Sequence, residues 1–225
     1  MTGLKLVVFD VDGTLVDSQG DILASMTAAF AAAGLPAPSR ATVLGIVGLS
    51  LPVAMEALAP DEDAPTHARM VEAYKECYTR LRATGGASSS PLYPGIGALL
   101  GRLRARDDLL LGVATGKSRR GLTALIDSLN LGGTFVTTQV ADDHPSKPNP
   151  AMLLACLSET GVAARDAVMI GDTSFDLQMA RSAGIAAIAV SWGYHPRGAL
   201  TGAAAVVDDA AALERAIDTV LGGAA

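Results

Sequence analysis

Leu6-Val7-Val8-Phe9-Asp10-Val11-Asp12-Gly13-Thr14-Leu15 is the stretch whose reading decides the fold. The apolar run predicts a buried strand, and it ends in two aspartates one residue apart, followed by glycine. Residues two apart in a strand point to the same side, so both carboxylates face one site at the strand's carboxyl end. That edge is where open α/β sheets hold their ligands. Two carboxylates pushed together repel unless a cation or shared proton compensates. The pair therefore asks for a metal ion, with one carboxylate as nucleophile and the other as acid/base. Alone, Asp-Val-Asp-Gly also reads as a turn after a strand. An EF-hand Ca²⁺ loop is excluded, because Thr14-Leu15-Val16 follows where further oxygen ligands and a late Glu are needed.

The chain's 225 residues can bury a substantial core, as one domain or two unequal ones. Half the residues are hydrophobic and few are aromatic, which makes the core aliphatic. A formal net charge of −6 without a Lys/Arg-rich block argues against nucleic-acid binding. It leaves room for a small anionic substrate held by a locally positive site. Cys77 and Cys156 lack metal-ligand spacing and read as buried helix residues in a reducing compartment. No apolar stretch is long enough for a membrane span, and the N-terminus lacks a signal-peptide layout. The expected location is the cytoplasm.

Beyond the first strand, helical spacing dominates. A helix is predicted over 19–33, where Ile22, Leu23, Met26, Ala29 and Phe30 share a face and Gly34-Leu35-Pro36 ends it. Short helices over 39–46 and 51–58 follow, and a longer one over 67–83 comes after a polar break at 60–65. Residues 84–91, rich in Gly and Ser, read as a flexible return linker. No strand is predicted between 16 and 91, so this stretch reads as a helical insertion. From Tyr93 onward helix and strand alternate. Strands are expected at 109–114, 134–138, 168–170, 185–190 and 204–207, with helices at 95–106, 119–129, 150–160, 174–182 and 210–221. Such alternation indicates an α/β fold, a doubly wound parallel sheet with helices on both faces. Residues 1–15 and 91–225 are assigned to this core, and 16–90 to an all-helical cap.

Three further motifs sit where strands of that sheet end. Thr115-Gly116-Lys117-Ser118 puts a hydroxyl and a glycine N–H at a strand-to-helix turn, an anion-binding corner. It also reads as a helix N-cap by Thr115 or Ser118. Lys147 is fixed in Pro145-Ser146-Lys147-Pro148, where a point charge can hold a phosphate and balance a nucleophilic carboxylate. Gly171-Asp172-Thr173-Ser174-Phe175-Asp176 again ends an apolar strand in carboxylates. There, Asp172 or Thr173 also suits a helix cap and Asp176 the helix dipole.

In this order and spacing, Asp10-Val11-Asp12-Gly13-Thr14, Thr115-Gly116, Lys147 and Gly171-Asp172-Thr173-Ser174-Phe175-Asp176 resemble the four motifs of the haloacid dehalogenase superfamily. The resemblance covers the whole chain, including a helical (C1-type) cap between the first two motifs. Residues 171–184 and Trp192-Gly193-Tyr194 look like its phosphoglycolate-phosphatase-type members. The resemblance implies a Rossmann-like core and a Mg²⁺-dependent hydrolase that cleaves a small phosphate monoester through an aspartyl-phosphate, with phosphoglycolate as first substrate. It implies Asp10 as nucleophile and Asp12 as acid/base. It further implies Mg²⁺ on Asp10, the Asp12 carbonyl and Asp172, with Asp176 supporting the metal or orienting Lys147. Thr115, Gly116 and Lys147 would hold phosphoryl oxygens.

For the cap, Gly48-Leu49-Ser50 reads as an interhelix turn or as a source of N–H groups for the substrate. Gly48 and Ser50 are therefore substrate-binding candidates. Arg40, Lys75, Arg80 and Arg82 are candidates for a carboxylate or second phosphate. Trp192 is expected where core meets cap. His67, His144 and His195 read as surface or loop residues. A sugar phosphomutase, a pyrophosphatase or nucleotidase, and a non-catalytic binding module remain alternatives. The expected partner is a small phosphorylated metabolite, with neither nucleic acid nor membrane, for a monomer or homodimer.

Overall fold

The structure, a computed structural model, describes residues 3–222; residues 1–2 and 223–225, which the expected core range includes, lie outside it. The strands are β1 (Lys5–Phe9), β2 (Leu109–Thr115), β3 (Thr137–Val140), β4 (Ala167–Gly171), β5 (Ala186–Val190) and β6 (Ala205–Val207). They form one sheet in the order β3-β2-β1-β4-β5-β6, and every neighbouring pair is parallel. This is the doubly wound α/β sheet that the sequence predicts. Direction of winding reverses at β1, so a crevice opens beyond the carboxyl ends of β1, β2 and β4.

Strand alternation sorts the core into two layers. Val7 and Phe9 pack with Leu99 of α5 (Ile96–Arg104), Leu122 of α6 (Arg119–Ser128) and Leu213 of α9 (Ala210–Gly222). Leu6 and Val8 pack on the opposite face with Met152 of α7 (Ala151–Thr160) and Leu177 of α8 (Ser174–Ser182). Because both faces are covered, the central strands are apolar along most of their length. Cys77 and Cys156 are buried free thiols.

Between β1 and α5 lie α1 (Gln19–Ala33), α2 (Arg40–Leu44), α3 (Leu51–Leu58) and α4 (Ala64–Gly85). They share their own core, in which Met26 and Phe30 of α1, Met55 of α3 and Met70 of α4 are buried. Gly34 ends α1 in the left-handed conformation, φ 72°, and returns its N–H to Ala31 O and Phe30 O. Among the described residues no helix is long and apolar enough to cross a membrane.

Three local expectations need correction. Residues 84–91 are not a loose linker: α4 continues to Gly85, and a 3₁₀ turn spans Gly86–Ser89. Ser88 Oγ donates to Gly85 O, and Ser89 Oγ donates to Asp21 on α1, so the segment is tied at both levels. The strand expected at 134–138 lies at Thr137–Val140. Thr134 N closes a turn on Leu131 O, and pairing with β2 begins only at Thr137. Finally, α4 begins before residue 67, because Asp63 caps it by accepting from Thr66 N, with a proline in its first turn.

The chain leaves and re-enters the sheet domain at one place. Asp17 N donates to Pro91 O and Tyr93 N to Leu15 O, with Val16 bridged antiparallel to Leu92.

Candidate active site

β1 delivers Asp10 to the crevice, where its N–H still donates to Ile170 O of β4 at 2.9 Å. The next five residues wrap tightly, with the N–H groups of Leu15 and Val16 both on Val11 O. Gly13 occupies this turn at φ 85°. A Cβ there would lie 2.2 Å from Asp172 Oδ2, and one at Gly193 would lie 2.2 Å from Asp172 Cβ. Backbone without side chains thus walls Asp172 on two sides.

Asp172 follows β4 directly and is fully buried. Its Oδ1 accepts from Thr14 Oγ1 and its Oδ2 from Tyr194 N, both at 2.8 Å. Thr173 caps α8, and Asp176 reciprocates by accepting from Thr173 N. Lys147 reaches in from the β3–α7 connection and donates to Asp10 Oδ1 and Asp176 Oδ1, each at 2.6 Å. Asp176 therefore spends one oxygen on Lys147 and the other on the cap, and acts as the lysine's orienting partner. Burial alone would pull the Lys147 ammonium down, but Asp10 and Asp176 outweigh it and hold it above its ordinary value.

Oxygens of Asp10, Asp172 and Asp176 lie within 4.8 Å of one another. Burial pushes the Asp10 carboxyl up to about 7, with Lys147 opposing and Asp176 adding to the rise. Asp172 is also raised well above its usual value, by burial first and then by the charges of Asp10 and Asp176. Asp10 Oδ2 is buried and has no hydrogen-bond partner among the described residues. One lysine does not neutralise three buried carboxylates, and an orphaned carboxylate oxygen beside Asp172 is a ligand position for a hard cation. The residues present fit a divalent metal held by Asp10 and Asp172.

Thr115 ends β2 and is buried, accepting from Lys117 N at 3.2 Å. Ser118, rather than Thr115, caps α6 by accepting from Gly121 N. A Cβ on Gly116 would lie 2.8 Å from both Gly48 O and Leu49 O, so glycine lets the inserted helices sit directly on this corner. Asp12 turns away from the carboxylate cluster. Its Oδ1 pairs with Lys117 Nζ at 2.8 Å and accepts from Ser18 Oγ. Lys117 also donates to the hydroxyl of Tyr78 on α4 at 2.9 Å. Ser18, Tyr78, Lys117 and Tyr194 were not among the sequence candidates for this site. Lys117 and Tyr194 do lie inside the quoted motifs, but nothing in their spacing marks these contacts.

A cavity of about 710 Å³ runs from Asp10, Asp12 and Thr115 outward between α4 and α6.

A family model described as haloacid dehalogenase-like hydrolase matches residues 7–190. The chain belongs to that family. A phosphoglycolate phosphatase of Rhodospirillum rubrum is 34% identical over 221 residues, covering 93% of this chain and 89% of its own. Another, from Pseudomonas savastanoi, is 34% identical over 194 residues, covering 85% and 71%. Among solved structures, a haloacid dehalogenase-like hydrolase from Streptococcus pneumoniae superposes with a TM-score of 0.80 at 26% identity, covering 95% and 98%.

In this haloacid dehalogenase-like hydrolase the Gly48-Leu49-Ser50 loop of the helical insert is fastened in place, as an interhelix turn would be. Ser50 N donates to Ser146 Oγ at 2.8 Å, and Leu49 N to Ile46 O. Those N–H groups are spent on fastening the loop, although Gly48 and Ser50 line the cavity. Of the four cationic candidates, Lys75 and Arg82 line it, whereas Arg40 bonds Gln19 and Arg80 reaches Cys77 Sγ. Trp192 Nε1 donates to Thr14 O at 3.1 Å, at the mouth of the exit turn. His67 and His144 bond Ala59 O and Gln139 Oε1.

His195 lies in a loop but is not a surface residue. It is buried, with Nδ1 accepting from Ser174 N and Nε2 at 3.2 Å from Gly45 O of the insert. Burial holds its imidazole below the ordinary value. The unfolded chain therefore binds that proton more readily, and stability falls as pH drops below about 6.5. His195→Asn is expected to flatten this acid limb in melting curves taken between pH 7.5 and 5. An unchanged slope would remove His195 as its source.

Proposed function

We propose that this hydrolase is a Mg²⁺-dependent phosphatase acting on a small phosphate monoester, with 2-phosphoglycolate as first substrate. The reading is carried by one observation: a buried Asp10 with an unpartnered Oδ2, set between Asp172 and the Lys147 ammonium. The names of the curated relatives support the choice of substrate.

In this reading Asp10 attacks phosphorus in line while the bond to the leaving oxygen breaks. Asp12 gives that oxygen a proton. It later takes a proton from the water that attacks the aspartyl-phosphate, releasing inorganic phosphate and restoring Asp10. Thr115 Oγ1, the Gly116 N–H and Lys147 hold phosphoryl oxygens as their charge redistributes. Asp10, Asp172 and the Asp12 carbonyl would hold Mg²⁺, which supplies charge neutralisation between a carboxylate and a phosphate dianion.

Phosphate release over a panel of phosphorylated metabolites, with and without EDTA, tests the proposal. Release with Mg²⁺ and at least a hundredfold loss in EDTA, restored by excess Mg²⁺, is expected. The same metal should raise the melting temperature of the free protein by relieving carboxylate repulsion. EDTA-resistant turnover with no thermal shift would overturn the metal assignment.

A further inference from the structure

The end of the cavity remote from Asp10 is unlike the rest of its wall. Much of the wall is apolar, formed by residues such as Ile22, Met26, Val47 and Leu51. Its outer end carries Arg82 near the end of α4, with Arg120, Ala124 and Ser128 of α6. Arg82 is half-buried. Its Nη2 donates to Ser128 Oγ at 3.0 Å, while Nη1 is buried and has no partner among the described residues. Among the described residues neither Arg82 nor Arg120 pairs with a carboxylate. Apart from Asp10 and Asp12, the wall's carboxylate is Asp142, which already accepts from Arg119 N at 2.7 Å.

A guanidinium offers five donors in a planar fork suited to a carboxylate or phosphate. Leaving such a charge partly buried and unpaired is costly, so its retention at a cavity wall marks a place for an anion. Reach then decides the kind of molecule. Tyr78, whose hydroxyl touches Lys117 beside Asp12, lies four residues before Arg82, about 6 Å along the helix axis. A two-carbon leaving group on a phosphate at Asp10 ends well short of that point. A volume of about 710 Å³ also suits a much larger guest than glycolate.

We infer that Arg82 is a specificity residue for phosphate monoesters whose leaving group has an apolar body and ends in a second anion. The inference rests on the proposed phosphatase chemistry but departs from phosphoglycolate as its substrate, because glycolate is too short to reach Arg82. Arg82 binds the distal anion, Ser128 sets the guanidinium's orientation, and Arg120 adds a second positive charge at the opening.

Phenyl phosphate and 4-carboxyphenyl phosphate test this directly, because they share a leaving-group body and differ in one distal carboxylate. The wild-type chain is expected to favour the carboxylated ester by about tenfold or more in kcat/KM, the value of one charge-assisted hydrogen bond. Arg82→Gln should collapse that ratio, chiefly through KM. Ala124→Glu, at an exposed position on the same wall, should lower it by offering Arg82 a competing carboxylate. This second variant keeps the test open if the first does not fold. Hydrolysis of both esters without preference, or a ratio unmoved by either substitution, overturns the inference alone. Hydrolysis of neither ester by a protein that releases phosphate from the metabolite panel also overturns the inference alone. Release from no ester in either set overturns the phosphatase reading and the inference with it.

Discussion

Asp10→Asn is expected to abolish turnover, by at least about 10⁴-fold, while the protein stays folded. Asparagine keeps the shape of the side chain, and its carbonyl oxygen still accepts from Lys147, which donates to Asp10 Oδ1 at 2.6 Å. What disappears is the anionic oxygen that forms the bond to phosphorus. The thermodynamic consequence runs the other way. Burial raises the Asp10 carboxyl to about 7, above its unfolded value. Between about pH 4 and 7 the folded chain thus binds more protons than the unfolded one, and ionising Asp10 costs stability as pH rises. In EDTA at neutral pH, Asp10→Asn should therefore melt at or above the wild-type temperature, with an advantage that shrinks toward pH 4. Stabilisation by Mg²⁺ should be strongly reduced in the same variant. Near-wild-type phosphate release would sink the nucleophile assignment. A variant that is inactive because it is unfolded would show no cooperative melt.

Lys147→Met is expected to have the largest effect on stability. The ammonium is fully enclosed and bridges Asp10 and Asp176 at 2.6 Å each. Methionine fills much of the volume but leaves both carboxylates without their cation. Breaking a buried ion pair in this one-sided way costs about 3–5 kcal/mol. For a chain of this size that is a fall of roughly 6–20 °C in melting temperature. Asp10 would be driven further upward, so a larger share would be protonated and unreactive at neutral pH. Excess Mg²⁺ should recover part of the stability, because it supplies positive charge to the same carboxylates. Urea melts with and without Mg²⁺ measure both effects. A variant as stable as wild type in EDTA would show that Asp176 and Asp10 do not depend on the lysine.

Sequence and structure meet most closely where chemistry is written into side chains at strand ends. Phe9-Asp10 and Ile170-Gly171-Asp172 were legible because an apolar strand stops abruptly at a carboxylate. The sheet followed from the same runs. β3 was placed three residues too early because its segment, Thr-Thr-Gln-Val, carries buried polar residues rather than an apolar alternation. The enclosure of Asp172 was less legible, since it is made by Tyr194 N and by the missing side chains of Gly13 and Gly193. Backbone donors leave no mark in a sequence. Lys117 was visible as part of an anion corner, but its partners Asp12 and Tyr78 come from distant segments. Only the seating of the inserted helices on Gly116 brings Tyr78 there. Asp176 reads as a helix-cap residue and as the lysine's partner at once, and the structure gives it both tasks.

The joined segments at Leu15–Asp17 and Pro91–Tyr93 bear on how such a protein changes over time. The insert departs and returns through adjacent hydrogen-bonded positions, so the sheet's register does not depend on what is carried between them. A recombination event that exchanged the intervening segment would leave every sheet-borne carboxylate where it stands. The graft would have to meet a few local conditions, among them a backbone able to rest on Gly116 and partners for Ser146 and Lys117. Reaction and selectivity are therefore heritable as separate units in this chain, divided at a seam only a few residues wide.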